Sequence, residues 1–138
     1  MIILPFPPKE LSPNARSRTY HKQARFKKQA RADGYYATKA SKASVAAGDV
    51  PVMMEVSFYP PGAYHYDQDG LISRMKGYLD GIADALGVDD YHFRPEYRFC
   101  APDGKARVTV EIITGEARPF GEIAAEIVER LRPMEDAA

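Results

Sequence analysis

Cysteine occurs once in this sequence, at Cys100, so no intrachain disulfide can form and a reducing cytoplasm is the expected compartment. Within the apolar run YRFCA that thiol reads as a core side chain, not a nucleophile. No run of about 18 apolar residues is present, which argues against a transmembrane helix. The opening MIILPFPPKE lacks the charged start and small-residue cleavage site of a signal peptide. There is no glycine-rich phosphate loop, no Ser/His/Asp arrangement and no Cys/His zinc spacing. His21, His65 and His92 are scattered and read as surface or structural residues. Hydride transfer, nucleoside-triphosphate hydrolysis and zinc chemistry are therefore poor expectations.

What is present is 138 residues with 45% hydrophobic content, enough for one domain with a real core. Net charge is zero but unevenly spread. Residues 1–48 carry ten Lys and Arg against two acids, a net of +8, and the remaining ninety carry nine against seventeen, a net of −8. Such asymmetry suggests a basic segment that meets nucleic acid and an acidic segment with another task. A solvated basic helix with its counter-charges elsewhere in the fold is the plainer alternative.

Ile2 to Leu4 reads as a short strand that Pro5, Pro7 and Pro8 must end or push to a sheet edge. The stretch to residue 18 is turn-rich, with Pro13-Asn14 as a turn signal. Thr19 to Ala32 favours helix, with Gly34 as its stop. Arg18, Lys22, Arg25 and Gln29 share one face of that helix, and Lys27, Lys28 and Arg31 widen the basic surface. Together with Asn14 and Arg16, these cations suit contacts to phosphate. Residues 34 to 48 read as an exposed second helix or a continuation of the first.

Val50 to Tyr59 reads as a strand whose Val52, Met54, Val56 and Phe58 face the core. Pro60-Pro61-Gly62 ends it. Gly70 to Leu86 has apolar residues at helical spacing, with Asp69 placed as N-cap and Gly87 just past the end. Gly77 and Gly81, one turn apart, each cost a helix about 1 kcal/mol and point to close approach by another helix. His92 to Cys100 and Ala106 to Thr114 read as a hairpin about Pro102-Asp103-Gly104. Phe120 to Leu131 reads as a short amphipathic helix, and the tail from about residue 132 as frayed.

The chemistry gathers between Tyr66 and Asp90, in YDQDGLISRMKGYLDGIADALGVDD. Asp67 and Asp69, if extended, point to the same side and repel each other unless a cation intervenes. Mg²⁺ suits such a pair, because it takes one or two carboxylates and keeps several waters for a substrate phosphate. A capping turn explains DQDG equally well from spacing alone. Lys76 shares a helix face with Asp69, Asp80 and Asp84, either as a salt-bridge partner or as a cation for phosphate.

LPFPPKELSPNAR, the DQDGLISRMKGYLDGIADALG segment and the VDD that follows resemble, in that order, the RusA-type Holliday junction resolvases. The likeness is greatest to short prophage variants and covers residues 2 to about 114. It implies a Mg²⁺-dependent endonuclease, with Mn²⁺ able to substitute, that acts as a homodimer and places paired nicks in four-way DNA junctions during recombination and repair. It also implies that Asp67, Asp69 and Asp90 bind the metal and that Lys76 is the essential lysine. The sequence departs from the family pattern at three places. Gly70 stands where an Asn usually follows the second Asp, Lys76 comes seven residues after Asp69 where some members have four (Ser73 here), and GAYHY replaces an arginine run.

The expected architecture is an α+β domain over residues 1–138. It has a mixed, roughly four-stranded sheet, a long basic N-terminal helix and the central helix at a homodimer interface. A continuous helix over residues 70–86 would be about 25 Å long and would keep Asp90 far from Asp69 of the same chain unless it broke at Gly77 or Gly81. An antiparallel partner helix seated on Gly77 and Gly81 would bring them together across a two-fold axis. The alternatives are a less selective nuclease for flaps or branched DNA, and an inactive DNA-binding remnant.

Overall fold

The computed structural model describes residues 1–12, 20–45 and 51–113. The expected helix at 120–131, the tail, and Asn14, Arg16 and Arg18 lie outside that range. Within it the domain is α+β, with a four-stranded mixed sheet and its helices packed on one face.

The strands are β1 (Ile2–Pro5), β2 (Val52–Tyr59), β3 (Phe93–Phe99) and β4 (Arg107–Ile112), in spatial order β1-β4-β2-β3. β1 and β4 are antiparallel, as are β4 and β2, whereas β2 and β3 are parallel. The proline-rich exit of β1 is accommodated because β1 is an edge strand. Alternation in β2 is as the sequence implies: Val52, Met54, Val56 and Phe58 are buried. The expected hairpin of β3 and β4 does not form. β4 inserts between β1 and β2, so β3 and β4 flank β2 and never pair. Pro95, which has no N–H to donate, sits harmlessly in β3 at the other edge.

Helix α1 spans Tyr20–Ser41 and runs straight through Gly34. Gly34 is not a stop but a contact point: a Cβ there would collide with the carbonyl oxygen of Tyr78. The segment after it is not wholly exposed either, since Thr38 is buried and its hydroxyl donates to Gly34 O at 2.7 Å. The opposing element also differs from expectation. The central segment is two helices, α2 (Gln68–Ser73) and α3 (Lys76–Leu86), joined by Arg74 and Met75. At the joint the ladder tightens, with Arg74 N bonding to Leu71 O and Met75 N to Ile72 O. Ser73 Oγ donates to Gly70 O and Arg74 Nη1 reaches Pro7 O, side-chain bonds that hold the bend.

Gly77 and Gly81 do admit a close neighbour, but that neighbour is α1 of the same chain. A Cβ on Gly77 would lie 2.9 Å from Ala30 Cβ, and one on Gly81 would run into Arg31 O and lie 2.8 Å from Tyr35 N. The glycine face of α3 is thus already covered, which removes it as a seat for a partner helix. Tyr78, Ile82 and Met75 fill the space beneath, against Ile2, Leu4, Val56 and Val108. Each such side chain contributes about 1.5–3 kcal/mol by burial. The Tyr78 hydroxyl donates to Pro5 O at 2.8 Å and ties α3 to β1. Gly87 closes α3 in the left-handed region at φ 71°, as its sequence position implies. Among the described residues no helix is long and apolar enough to cross a membrane.

Candidate active site

The loop after β2 delivers Asp67 to the start of α2. Asp67, not Asp69, occupies the N-cap position, at φ −70° and ψ 116°, and its carboxylate makes no capping hydrogen bond. Asp69 lies in the first turn, so residues 67–69 are not the extended stretch that would turn both carboxylates to one side; both are exposed. Gly70 has a visible consequence for Asp67. A Cβ at residue 70 would stand 3.3 Å from Asp67 Oδ2, so the missing side chain lets the carboxylate fold over the first turn.

At the start of α3, Lys76 Nζ donates to Asp80 Oδ1 at 2.9 Å and to Asp90 Oδ2 at 2.6 Å. Asp90 opens a short 3-10 turn, Asp90–His92, where Asp89 spends its carboxylate on the amide of Tyr91. The Asp-Asp pair is therefore divided: Asp89 caps, and Asp90 faces Lys76. Asp90 and then Asp80 hold the Lys76 ammonium well above the ordinary lysine pKa, and Lys76 holds the Asp90 carboxyl below the usual carboxylate range. Lys76 is 69% exposed, so the pair contributes at most about 1 kcal/mol and an incoming anion can exchange with it.

Beside Lys76 a cleft of about 500 Å³ opens between α1 and the α2–α3 joint. Lys27, Lys28, Arg31, Arg74 and Lys76 line it, against the single carboxylate of Asp80. Arg31 is braced there by a two-point bridge to Asp84, at 2.6 and 2.9 Å, which raises its pKa and lowers that of Asp84. Arg74 keeps a buried Nε without a hydrogen-bond partner. The basic residues of α1 are thus split between two surfaces. Lys22, Arg25 and Gln29 line a second cavity of about 550 Å³ with His21 and Phe26, whereas Lys28 joins the Lys76 cleft. Sequence reasoning missed Arg74 entirely. Its only signal was a cation two residues before Lys76, which nothing distinguished from a solvated side chain.

Among the described residues, no three His, Cys, Asp or Glu side chains converge closely enough to hold a metal ion. One chain therefore brings Asp90 to Lys76 but does not assemble Asp67, Asp69 and Asp90 into a single ligand set. No known protein family matches the chain. A protein of Xylella fastidiosa, described as uncharacterized, is 43% identical to it over 96 residues. That alignment takes in 67% of this chain and 61% of the relative, so the chain spans less than two thirds of the relative's length.

Proposed function

We propose that this protein is a Mg²⁺-dependent endodeoxyribonuclease of the RusA type, acting on four-way or otherwise branched DNA as a homodimer. The observation that carries the reading is the Lys76–Asp90 contact. The resemblance assigns these two residues to one active site, and the fold brings them together at 2.6 Å from fourteen positions apart, at the edge of a cleft lined by four more cations. A cleft of that charge suits a phosphate backbone, whose binding releases condensed counterions. The single cysteine accords with a cytoplasmic setting.

Mg²⁺ needs few protein ligands, and the exposed Asp67 and Asp69 would offer it one carboxylate each, from the N-cap and the first turn of α2. Bound there, the ion would activate a water and neutralise charge on the phosphodiester. The remaining roles fall to the chain itself. Lys76, kept charged by its two aspartates, is unsuited to act as a base and serves as a phosphate-binding cation. Arg74, Lys27 and Lys28 position the backbone beside it, and Arg31 is held in place by Asp84. Because one chain does not gather three carboxylates, we assign Asp67 and Asp69 of one copy and the Lys76–Asp90 pair of a second copy to the same site, and the two copies must dock away from the covered Gly77–Gly81 face.

The test is a substrate panel of labelled four-way junction, flap and linear duplex, incubated with and without Mg²⁺. Symmetric nicks in the junction support the reading. Cutting of flaps alone replaces it with a less selective nuclease, and binding without cleavage of any substrate replaces it with a non-catalytic DNA-binding protein.

A further inference from the structure

The loop 60–67 and the ends of β2 and β3 enclose a second kind of cavity. It measures about 240 Å³ and is walled by Phe58, Tyr64, Tyr66 and Phe99, with His65 and Gln68 also in the lining. Phe99 stacks on the buried Phe58 with ring centroids 5.3 Å apart and planes 9° from parallel, yet stays 38% exposed. Tyr64 stands at right angles to Tyr66, centroids 6.4 Å apart, and is 74% exposed. Tyr66 in turn packs edge-on against Phe6 at 5.4 Å, which anchors the group to the strand β1 exit.

Two exposed aromatic rings, Tyr64 and Phe99, thus share one cavity with the more buried Phe58 and Tyr66. Tyr64 lies against the bare Cα of Gly62, where a Cβ would come within 2.8 Å of its ring. We propose that this cleft holds one unstacked nucleobase of the DNA, next to the strand that is cut. The inference rests on the nuclease reading above and adds the base to the phosphate.

Five features select that occupant. The walls are flat and aromatic, the surface on which any base stacks regardless of sequence. The volume lies below the 300 Å³ at which pockets for drug-sized molecules begin, so it suits a single ring system. Gln68 offers both a donor and an acceptor to a base edge. Tyr66 and Gln68, both in the lining, flank Asp67, so a base seated here belongs to the nucleotide nearest the candidate metal site. Among the described residues, no Lys or Arg lines this cavity whereas several line the Lys76 cleft, a division between base and backbone. Branch points supply unstacked bases, whereas linear duplex does not.

The test measures binding of the full-length protein to a four-way junction, a duplex with one unpaired thymine, and a fully paired duplex, all in EDTA so that nothing is cut. Tyr64→Leu should bind the first two roughly tenfold more weakly and leave the paired duplex unchanged. Tyr64→Phe should behave as wild type, and Gly62→Val, which displaces the ring, should show a partial loss. Equal affinity of Tyr64→Leu and wild type for all three DNAs overturns the cleft assignment and leaves the nuclease reading standing, as does an equal loss on all three. Failure of the wild type to bind any of them overturns both.

Discussion

Replacing Gly81 by Ala probes the junction on which the candidate site is built. A Cβ at this position has nowhere to go, because it meets the carbonyl oxygen of Arg31 and lies 2.8 Å from the amide nitrogen of Tyr35. Both atoms belong to the backbone of α1, so no rotamer change can relieve them. Overpacking of a core costs about 1–3 kcal/mol, and a backbone clash on two sides belongs at the upper end. Alanine returns about 1 kcal/mol through helix propensity. The net is a loss of about 2 kcal/mol, which for a domain of this size lowers Tm by roughly 6–10 °C. Gly77→Ala should cost less, since its Cβ meets the methyl of Ala30 at 2.9 Å and no backbone atom of α1 closer than 3.4 Å. Thermal unfolding followed by circular dichroism reads both, with size-exclusion chromatography alongside. A Gly81→Ala protein that melts at or above the wild type refutes the α1–α3 packing described here. One that keeps its Tm but changes its oligomeric state would mean that the glycine face meets a second chain after all.

Four further outcomes follow from the same contacts. Lys76→Met should weaken junction binding and reduce the slope of log affinity against log salt by about one, read by titration at several ionic strengths. Tyr78→Phe leaves Pro5 O without its donor and should destabilise by about 1 kcal/mol in denaturant melts. The Lys76–Asp90 pair also sets a pH window. Asp90 is held below its ordinary value, so its contribution is present above pH about 4 and is lost as pH falls through the depressed pKa; Lys76 is raised, so its contribution holds below pH about 10.5 and is lost above. Asp90→Asn should flatten both limbs of the Tm–pH curve, by a small amount given the exposure of the pair. Finally, mixing Asp69→Asn and Asp90→Asn chains should restore cleavage if two copies share a site, and a mixture as inactive as either parent contradicts the sharing.

Local patterns in the sequence carried much of the architecture. The alternation of Val52, Met54, Val56 and Phe58 specifies the buried face of β2 because side-chain direction in a strand is set by parity alone. Gly87 marks the end of α3 for a similarly local reason, its positive φ. What failed was non-local. Pro102-Asp103-Gly104 has the chemistry of a hairpin turn, but which strands pair is decided by the whole sheet, and β4 found β1 and β2. Gly34 has the composition of a helix stop, and only the approach of the Tyr78 backbone shows why it sits mid-helix. Gly77 and Gly81 did signal a close neighbour, yet glycine spacing carries no information about whose helix arrives.

The site divides in the same way. The resemblance groups Asp67, Asp69, Lys76 and Asp90, and of these the structure joins only Lys76 and Asp90, through the turn after α3. Arg74 was invisible because its role comes from the bend at the α2–α3 joint and from Pro7, sixty-seven residues away. The aromatic loop was legible only as a departure from the family's arginine run. Its conversion into a walled cavity required Phe99 from β3 and Phe58 from β2.

The most direct test of the central claim is single-turnover cleavage of a four-way junction by wild type and Asp67→Asn, with binding measured in parallel in EDTA. The wild type should cut only with Mg²⁺ or Mn²⁺. Asp67→Asn should bind as tightly and cut roughly a hundredfold more slowly, the upper end of the loss seen when a metal site loses its support. Cleavage by Asp67→Asn at the wild-type rate, or a wild type that cuts no junction in either metal, contradicts that claim.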